Sequence, residues 1–265
     1  MRFFNRKIER HSSIEEDAKR LISNETPFAV TEAFRSIHTN LLYIPTKSKC
    51  KKFALTSAFS GEGKTYTAIN LAYTIAINSP DLKVLLIDCD MRKPRIAEIV
   101  GIKSSSRVHG LSEYLADIDE QPNICNSTLY KNLFLLPSGA ESYNAMGLLT
   151  SKKMKGLIDL CEEKFDFVIF DTPPVNIVSD TILLNDYIDG YIIATRAEYS
   201  DVNSISEAID RLKSVDANIL GFVLSSYNVK NVAGYARYTK YSKYSKYGKY
   251  GKYGNKYAQY GNHEH

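Results

Sequence analysis

The chain has no tryptophan and only four cysteines among its 265 residues. Cys50, Cys89, Cys125 and Cys161 stand 39, 36 and 36 residues apart, with no CxxC pair. That spacing argues against a zinc or iron–sulfur site and reads as reduced thiols in a reducing compartment. No apolar run approaches the ~18–20 residues that a membrane-spanning helix needs. The opening residues, MRFFNRKIERHSSIEEDAKR, are charged and lack the apolar stretch of a secretory signal. These absences exclude a secreted or self-inserting protein as the expected class.

What is present reads as an ordinary globular body with an unusual end. Hydrophobic residues make up 44% and charged residues 24%, and the length suits one large domain or two small ones. The net charge of +4 is unevenly spread. Residues 235–265 hold seven basic side chains and one acidic, a net +6, while residues 1–234 carry −2. Nine of the 19 tyrosines also lie in that last segment. The expected organisation is a polar segment at 1–28, with a possible capping box at Ser13 and Glu16, a domain at 29–232, and a flexible tail at 233–265.

Within the body, short runs rich in valine, isoleucine and leucine recur at 53–57, 83–87, 133–137, 167–170, 191–195 and 219–225. Helical patterns occupy 29–44, 64–79, 147–164, 178–187 and 201–214. Strands alternating with helices predict an α/β fold, a doubly wound and mostly parallel sheet with helices on both faces.

After the first strand comes Thr56-Ser57-Ala58-Phe59-Ser60-Gly61-Glu62-Gly63-Lys64-Thr65, running into a helix. The end matches GK[ST] of the P-loop pattern, with Ala58 at the first glycine position. Successive backbone N–H groups and a helix N-terminus suit polyphosphate, Lys64 would reach the β- and γ-phosphates, and the Thr65 hydroxyl would ligate Mg²⁺. Ser60, Gly61, Glu62, Gly63, Lys64, Thr65 and Tyr66 are the candidate ATP-binding residues. Two later strands end in acids, Asp88-Cys89-Asp90 and Asp171-Thr172-Pro173-Pro174, at the sheet end where ligands of such folds bind. Asp171 suits a metal-holding role beside Thr65 and Asp88. If the strand continued, Asp88 and Asp90 would share a face, and either could accept a proton from an attacking hydroxyl.

Taken together, SGEGKT, LLIDCDMR and VIFDTPP resemble the Walker A, A′ and B motifs of the bacterial tyrosine kinases that control capsule and exopolysaccharide synthesis. The resemblance runs over about residues 28–230 and includes GLSEYL at 110–115, TNLLY at 39–43 and the C-terminal tyrosine cluster. It implies a P-loop kinase using ATP and Mg²⁺ that phosphorylates its own tail, from one subunit to another, and a homo-oligomer of the ring kind that the family assembles. It also implies a membrane-bound activator or polysaccharide co-polymerase, held at the inner face of the membrane, and a cognate tyrosine phosphatase. Lacking a span, the chain resembles members in which kinase and membrane protein are separate. There are departures. Ser60 stands where the family has proline. The assembly motif ExxRxxR reads Glu32, Arg35 and His38, with histidine for the second arginine. Ser142-Tyr143-Asn144-Ala145 replaces a proline-rich stretch.

The tail carries Tyr235, Tyr238, Tyr241, Tyr244, Tyr247, Tyr250, Tyr253, Tyr257 and Tyr260, the first seven at a strict period of three. Helical geometry would scatter that spacing, and the interleaved glycines oppose a helix, so the segment reads as extended and flexible. It suits a set of phosphoacceptors. Lysines among aromatics also suit nucleic acid or anionic lipid, readings that the P-loop body makes weaker. Two other functions compete: a positioning ATPase of the MinD/ParA type, whose signature lysine is absent at Phe59, and a nucleotide-gated adaptor that transfers no phosphate.

Overall fold

In the computed structural model, the described residues are 21–226 except 24, 47, 103–108 and 128. The expected capping box at Ser13 and Glu16 and all nine tail tyrosines lie outside them. The elements run α1 (Phe28–Leu42), β1 (Lys51–Ser57), α2 (Lys64–Asn78), β2 (Val84–Asp88), α3 (Ile96–Ile99), α4 (Leu111–Leu115), β3 (Cys125–Asn126), β4 (Leu133–Leu136), α5 (Ala145–Leu149), α6 (Lys152–Lys164), β5 (Phe167–Asp171), a 3-10 turn (Ile182–Tyr187), β6 (Gly190–Arg196), α7 (Val202–Lys213) and β7 (Ile219–Ser225). The strands form one sheet in the order β3-β4-β2-β5-β1-β6-β7. Every pairing is parallel except the short β3–β4 contact, as expected for a mostly parallel sheet.

The strand pattern explains the two layers. Val84 and Leu86 face one core with Phe53, Leu55 and the apolar side of α2. Leu85 and Ile87 face the other, with Leu157 and Cys161 of α6 and Ala208 and Leu212 of α7. Alternate side chains are apolar on both sides because both faces are covered.

Two expectations change in detail. The single helix predicted over 147–164 is two, because the Ser151 hydroxyl accepts from the N–H of Met154 and starts α6 afresh. The helix predicted over 178–187 is a 3-10 turn at Ile182–Tyr187, pinned where the Thr181 hydroxyl donates to the Pro173 carbonyl at 2.7 Å. The structure also gives His38 a setting. It lies one turn from Phe34 and three residues before Leu41, and all three are buried. His38 is only 4% exposed and packs edge-on against Phe167 at 6.1 Å between ring centres. It is therefore part of the core side of α1, while Arg35 is exposed and pairs with partly exposed Glu32 at 2.6 Å.

Candidate functional site

The parallel register sets the acidic half of the site. Asp88 and Asp171, the last residues of β2 and β5, stand directly opposite each other. The phosphate loop leaves the end of β1, the neighbour of β5 on its other side. Gly61 and Gly63 adopt φ of +90° and +92°, the left-handed region where a Cβ is unwelcome. Ala58 has no such φ, which is why alanine serves where the usual pattern has glycine. No side chain caps α2, and no acidic residue of the helix itself stands in its first turn, so the backbone donors at the start of this 15-residue helix face the loop uncapped.

Lys64 lies within the carboxylates. Its Nζ is 2.9 Å from Asp90 Oδ2, 3.5 Å from Asp171 Oδ1 and 3.3 Å from Thr65 Oγ1. Burial opposes the ammonium, but Asp171 and Asp90 more than offset it, and its pKa is raised. Asp88 is tied by backbone donors: Oδ2 accepts from the N–H groups of Arg95 at 3.2 Å and Ile96 at 3.1 Å, and Oδ1 from Asp90 at 3.2 Å. Burial and the charge of Asp171 push the Asp88 carboxyl up to about 7. Burial likewise raises Asp171. Asp90 does not continue the strand. β2 stops at Asp88, and Asp90 turns toward Lys64 while accepting from the N–H of Lys93 at 3.1 Å.

Three carboxylates thus share one ammonium, and buried Asp171 Oδ1 has the distant Lys64 Nζ, at 3.5 Å, without a well-formed hydrogen bond. A buried acceptor left unmatched is costly, and the shortage of positive charge beside the Thr65 hydroxyl fits a divalent cation. Among the described residues no three His, Cys, Asp or Glu side chains form a closed metal cage. Mg²⁺ takes one or two carboxylates and completes its shell with phosphate and water oxygens.

Several supporting contacts have no signal in the sequence. The Glu62 side chain turns inward, accepting from the N–H of Phe59 at 2.8 Å and meeting the Ser200 hydroxyl. Tyr199, Arg196 and Ser225 bond to carbonyls of the loop. The Tyr66 ring packs edge-on against Phe34 at 6.3 Å. Arg92, at the end of LLIDCDMR, forms two bonds to the buried Asp180, at 2.6 and 3.1 Å, joining the loops after β2 and β5.

The GLSEYL segment gains a structural meaning. Glu113 Oε2 accepts from the Gly110 N–H and the Ser112 hydroxyl, both at 2.9 Å, and Oε1 from the Ala140 N–H at 3.0 Å. Burial pushes its carboxyl up, but these donors hold it below the usual range. A Cβ at Gly110 would lie 2.1 Å from the Pro137 carbonyl, so only glycine fits. The loop fixed in this way docks beside Asp90, where the Ser142 N–H donates to the Met91 carbonyl at 2.9 Å. The stretch Ser142-Tyr143-Asn144-Ala145 therefore keeps its place without prolines.

Comparison with known proteins agrees with this geometry. The family model described as "AAA domain" matches residues 50–221. Tyrosine-protein kinase CpsD of Streptococcus pneumoniae serotype 4 is 33% identical over 200 residues, covering 75% of this chain and 85% of that protein. Tyrosine-protein kinase wzc of Salmonella typhi is 31% identical over 205 residues, 77% of this chain but 28% of its own length. The crystal structure of the chimerical protein CapA2B2 superposes with a TM-score of 0.70 at 30% identity, covering 78% of this chain and 89% of that one.

Proposed function

This chain belongs to the bacterial tyrosine kinases and is an ATP-dependent protein-tyrosine autokinase; from that premise we propose that its body passes the γ-phosphoryl group of ATP to the tyrosines at 235–260. The observation that carries the reading is the Lys64 ammonium, held between Asp90 and Asp171 at the mouth of a glycine-shaped loop.

The backbone N–H groups from Ser60 to Thr65 cradle the phosphates, and Lys64 exchanges its carboxylate partners for phosphate oxygens. Thr65, Asp88 and Asp171 would hold Mg²⁺, which when bound would neutralise charge on the phosphates. A tyrosine hydroxyl attacks the γ-phosphorus in line, the bond to the β-phosphate oxygen breaks, and ADP leaves. Asp90 takes the phenol proton. Its Oδ2 is released when Lys64 turns to phosphate, whereas Asp88 stays tied by three backbone donors. Positioning and charge neutralisation do most of the work.

The tyrosines come from a neighbouring subunit of a homo-oligomer, with Glu32 and Arg35 on its contact face. His38, buried under α1, serves that face only through packing. The activator is a separate membrane-bound co-polymerase that holds the kinase at the inner membrane surface. The chain covers 85% of CpsD and 28% of wzc, and no helix among the described residues is long and apolar enough to cross a membrane. A cognate phosphatase resets the tail, and the cycle regulates capsule or exopolysaccharide export.

Charge supplies the switch. Each phosphotyrosine adds about −1.5 to −2, so roughly three or four cancel the tail's +6 and release it from an acidic neighbour or anionic surface. Intact-mass measurement of the full chain, with MgATP and the cytoplasmic segment of the activator, tests the reading. A ladder of phosphate additions, mapped to the tail, is expected. An unshifted mass reduces the protein to a nucleotide-gated adaptor or a positioning ATPase.

A further inference from the structure

The outer side of the phosphate loop is held as firmly as its inner side is shaped. Three consecutive carbonyls each accept a side-chain donor from the other half of the sheet. The Tyr199 hydroxyl donates to Ser60 O at 3.0 Å, Arg196 Nη1 to Gly61 O at 3.4 Å, and the Ser225 hydroxyl to Glu62 O at 3.0 Å. Arg196 ends β6, Tyr199 lies in the turn that follows, and Ser225 ends β7. No peptide bond among the described residues is cis. In a trans peptide, the C=O and the N–H of the next residue point in opposite directions. A donor that draws a carbonyl outward therefore turns the following N–H inward. The three carbonyls share their peptides with the N–H groups of Gly61, Glu62 and Gly63, which lie in the loop that cradles polyphosphate.

We propose that Tyr199, together with Ser225 and Arg196, is a positioning residue that aims these N–H groups and so sets the affinity for nucleoside di- and triphosphates. The proposal rests on residues 60–65 being the nucleotide site. Packing supports the brace at each point. The Arg196 guanidinium lies 5.4 Å from the Tyr199 ring centre, and the Ser200 hydroxyl meets the Glu62 carboxylate, so the turn after β6 docks as a unit. A Cβ at Gly61 would come within 3.3 Å of the Tyr199 hydroxyl, and one at Gly63 within 3.1 Å of the Ser225 hydroxyl, so the loop glycines also make room for their braces. Tyr199 is 51% exposed, but it sits in Glu198-Tyr199-Ser200-Asp201, the opposite charge setting from the lysine-flanked tail. Its hydroxyl works as a donor to Ser60 and not as a phosphate acceptor.

The test compares the full wild-type chain with Tyr199→Phe and Ser225→Ala, reading ADP affinity, KM for ATP and kcat with the activator segment. Tyr199→Phe deletes one hydroxyl and keeps the ring. Each variant is expected to weaken ADP binding and raise KM about fivefold, the worth of one hydrogen bond. The double variant should reach about 25-fold if the two braces are independent, with kcat at saturating ATP and the nucleotide-free melting temperature unchanged. Unchanged ADP affinity in both variants overturns the brace. A fall in kcat at constant KM, or phosphate mapped to Tyr199 in the wild type, overturns it equally, because the hydroxyl would then belong to the transfer step. If Tyr199→Phe lowers the nucleotide-free melting temperature, Ser225→Ala, on a different strand, decides between these outcomes. Wild-type protein that binds ADP while both variants bind as well refutes the brace alone. Wild-type protein that binds no ADP refutes the nucleotide site and the brace with it.

Discussion

The body and the C-terminal segment put their chemistry on opposite footings. In the body, function depends on a few groups in fixed places. Lys64 sits within 2.9 Å of Asp90 and 3.5 Å of Asp171, and Asp88 faces Asp171 across one rung of the sheet. In residues 235–265 no position is singled out, because tyrosine and lysine recur in a short repeat. A site built from position should fail at a single substitution. A segment built from number and charge should fail only by degrees. Lys64→Met is the harshest trial of the first half. Loss of a preorganised charge at developing phosphate charge costs roughly a hundred- to a thousandfold in rate, read as phosphotyrosine formed per minute. Autophosphorylation that survives the change would break the comparison on the body's side.

Single Tyr→Phe changes probe the other half. Each should lower the final phosphate count by about one, and release of the tail should track the total charge added, at about −1.5 to −2 per phosphate. Mass spectrometry counts the phosphates, and sedimentation follows assembly. If one change among the nine abolished release, the tail would be a site in the ordinary sense, and the contrast with the body would disappear.

A smaller effect sharpens the account of how the body holds its shape. Arg92 bridges the loop after β2 to Asp180 in the loop after β5 through two hydrogen bonds. Asp180 is 1% exposed, whereas the Arg92 side chain is 35% exposed. Arg92→Ala leaves a buried carboxylate unpartnered. Because solvent screens the arginine, the cost should be about 1–3 kcal/mol rather than the full penalty of a buried pair. Arg92→Lys should recover little, since a point charge cannot supply the planar fork. Urea unfolding measures both, and a loss below about half a kcal/mol would show that the two loops are held by something else.

The sequence was most informative where chemistry and chain direction coincide. Gly63-Lys64-Thr65 between a strand and a helix, and aspartates at the ends of β2 and β5, are local patterns, and the parallel register then brings them together without further information. Strands buried on both faces were equally legible, because Val84 to Ile87 are apolar at every position. What stayed hidden depends on contacts between distant segments. Nothing in Arg196, Tyr199 or Ser225 as letters says that they reach carbonyls more than 130 residues earlier in the chain. The division of 147–164 into two helices turned on a single hydroxyl at Ser151. His38 shows the limit of a motif for a different reason. Its motif position says nothing of burial, whereas its spacing from Phe34 and Leu41 places it on the apolar stripe of α1.

His38 also supplies the smallest test. Its Nε2 is buried without a hydrogen-bond partner, and burial lowers its pKa from 6.5. The unfolded chain therefore binds a proton more readily than the folded one, and the neutral imidazole supports the fold above the unfolded value of about 6.5. That contribution is lost as pH falls through 6.5 toward the folded pKa. Asp88 acts in the opposite sense in nucleotide-free protein. Its carboxyl is raised to about 7, so its contribution is greatest below the unfolded value and fades as pH rises toward 7. A melting curve of the wild type alone would mix the two. His38→Phe keeps a ring against Phe167, removes one titration and leaves Asp88 untouched, so the difference between the two proteins isolates the histidine. Between pH 8 and pH 5 the wild type should lose more stability than His38→Phe. Parallel losses in the two proteins would mean that the imidazole gains a partner for its proton, and that the apolar side of α1 tolerates the charge that the family carries at this position.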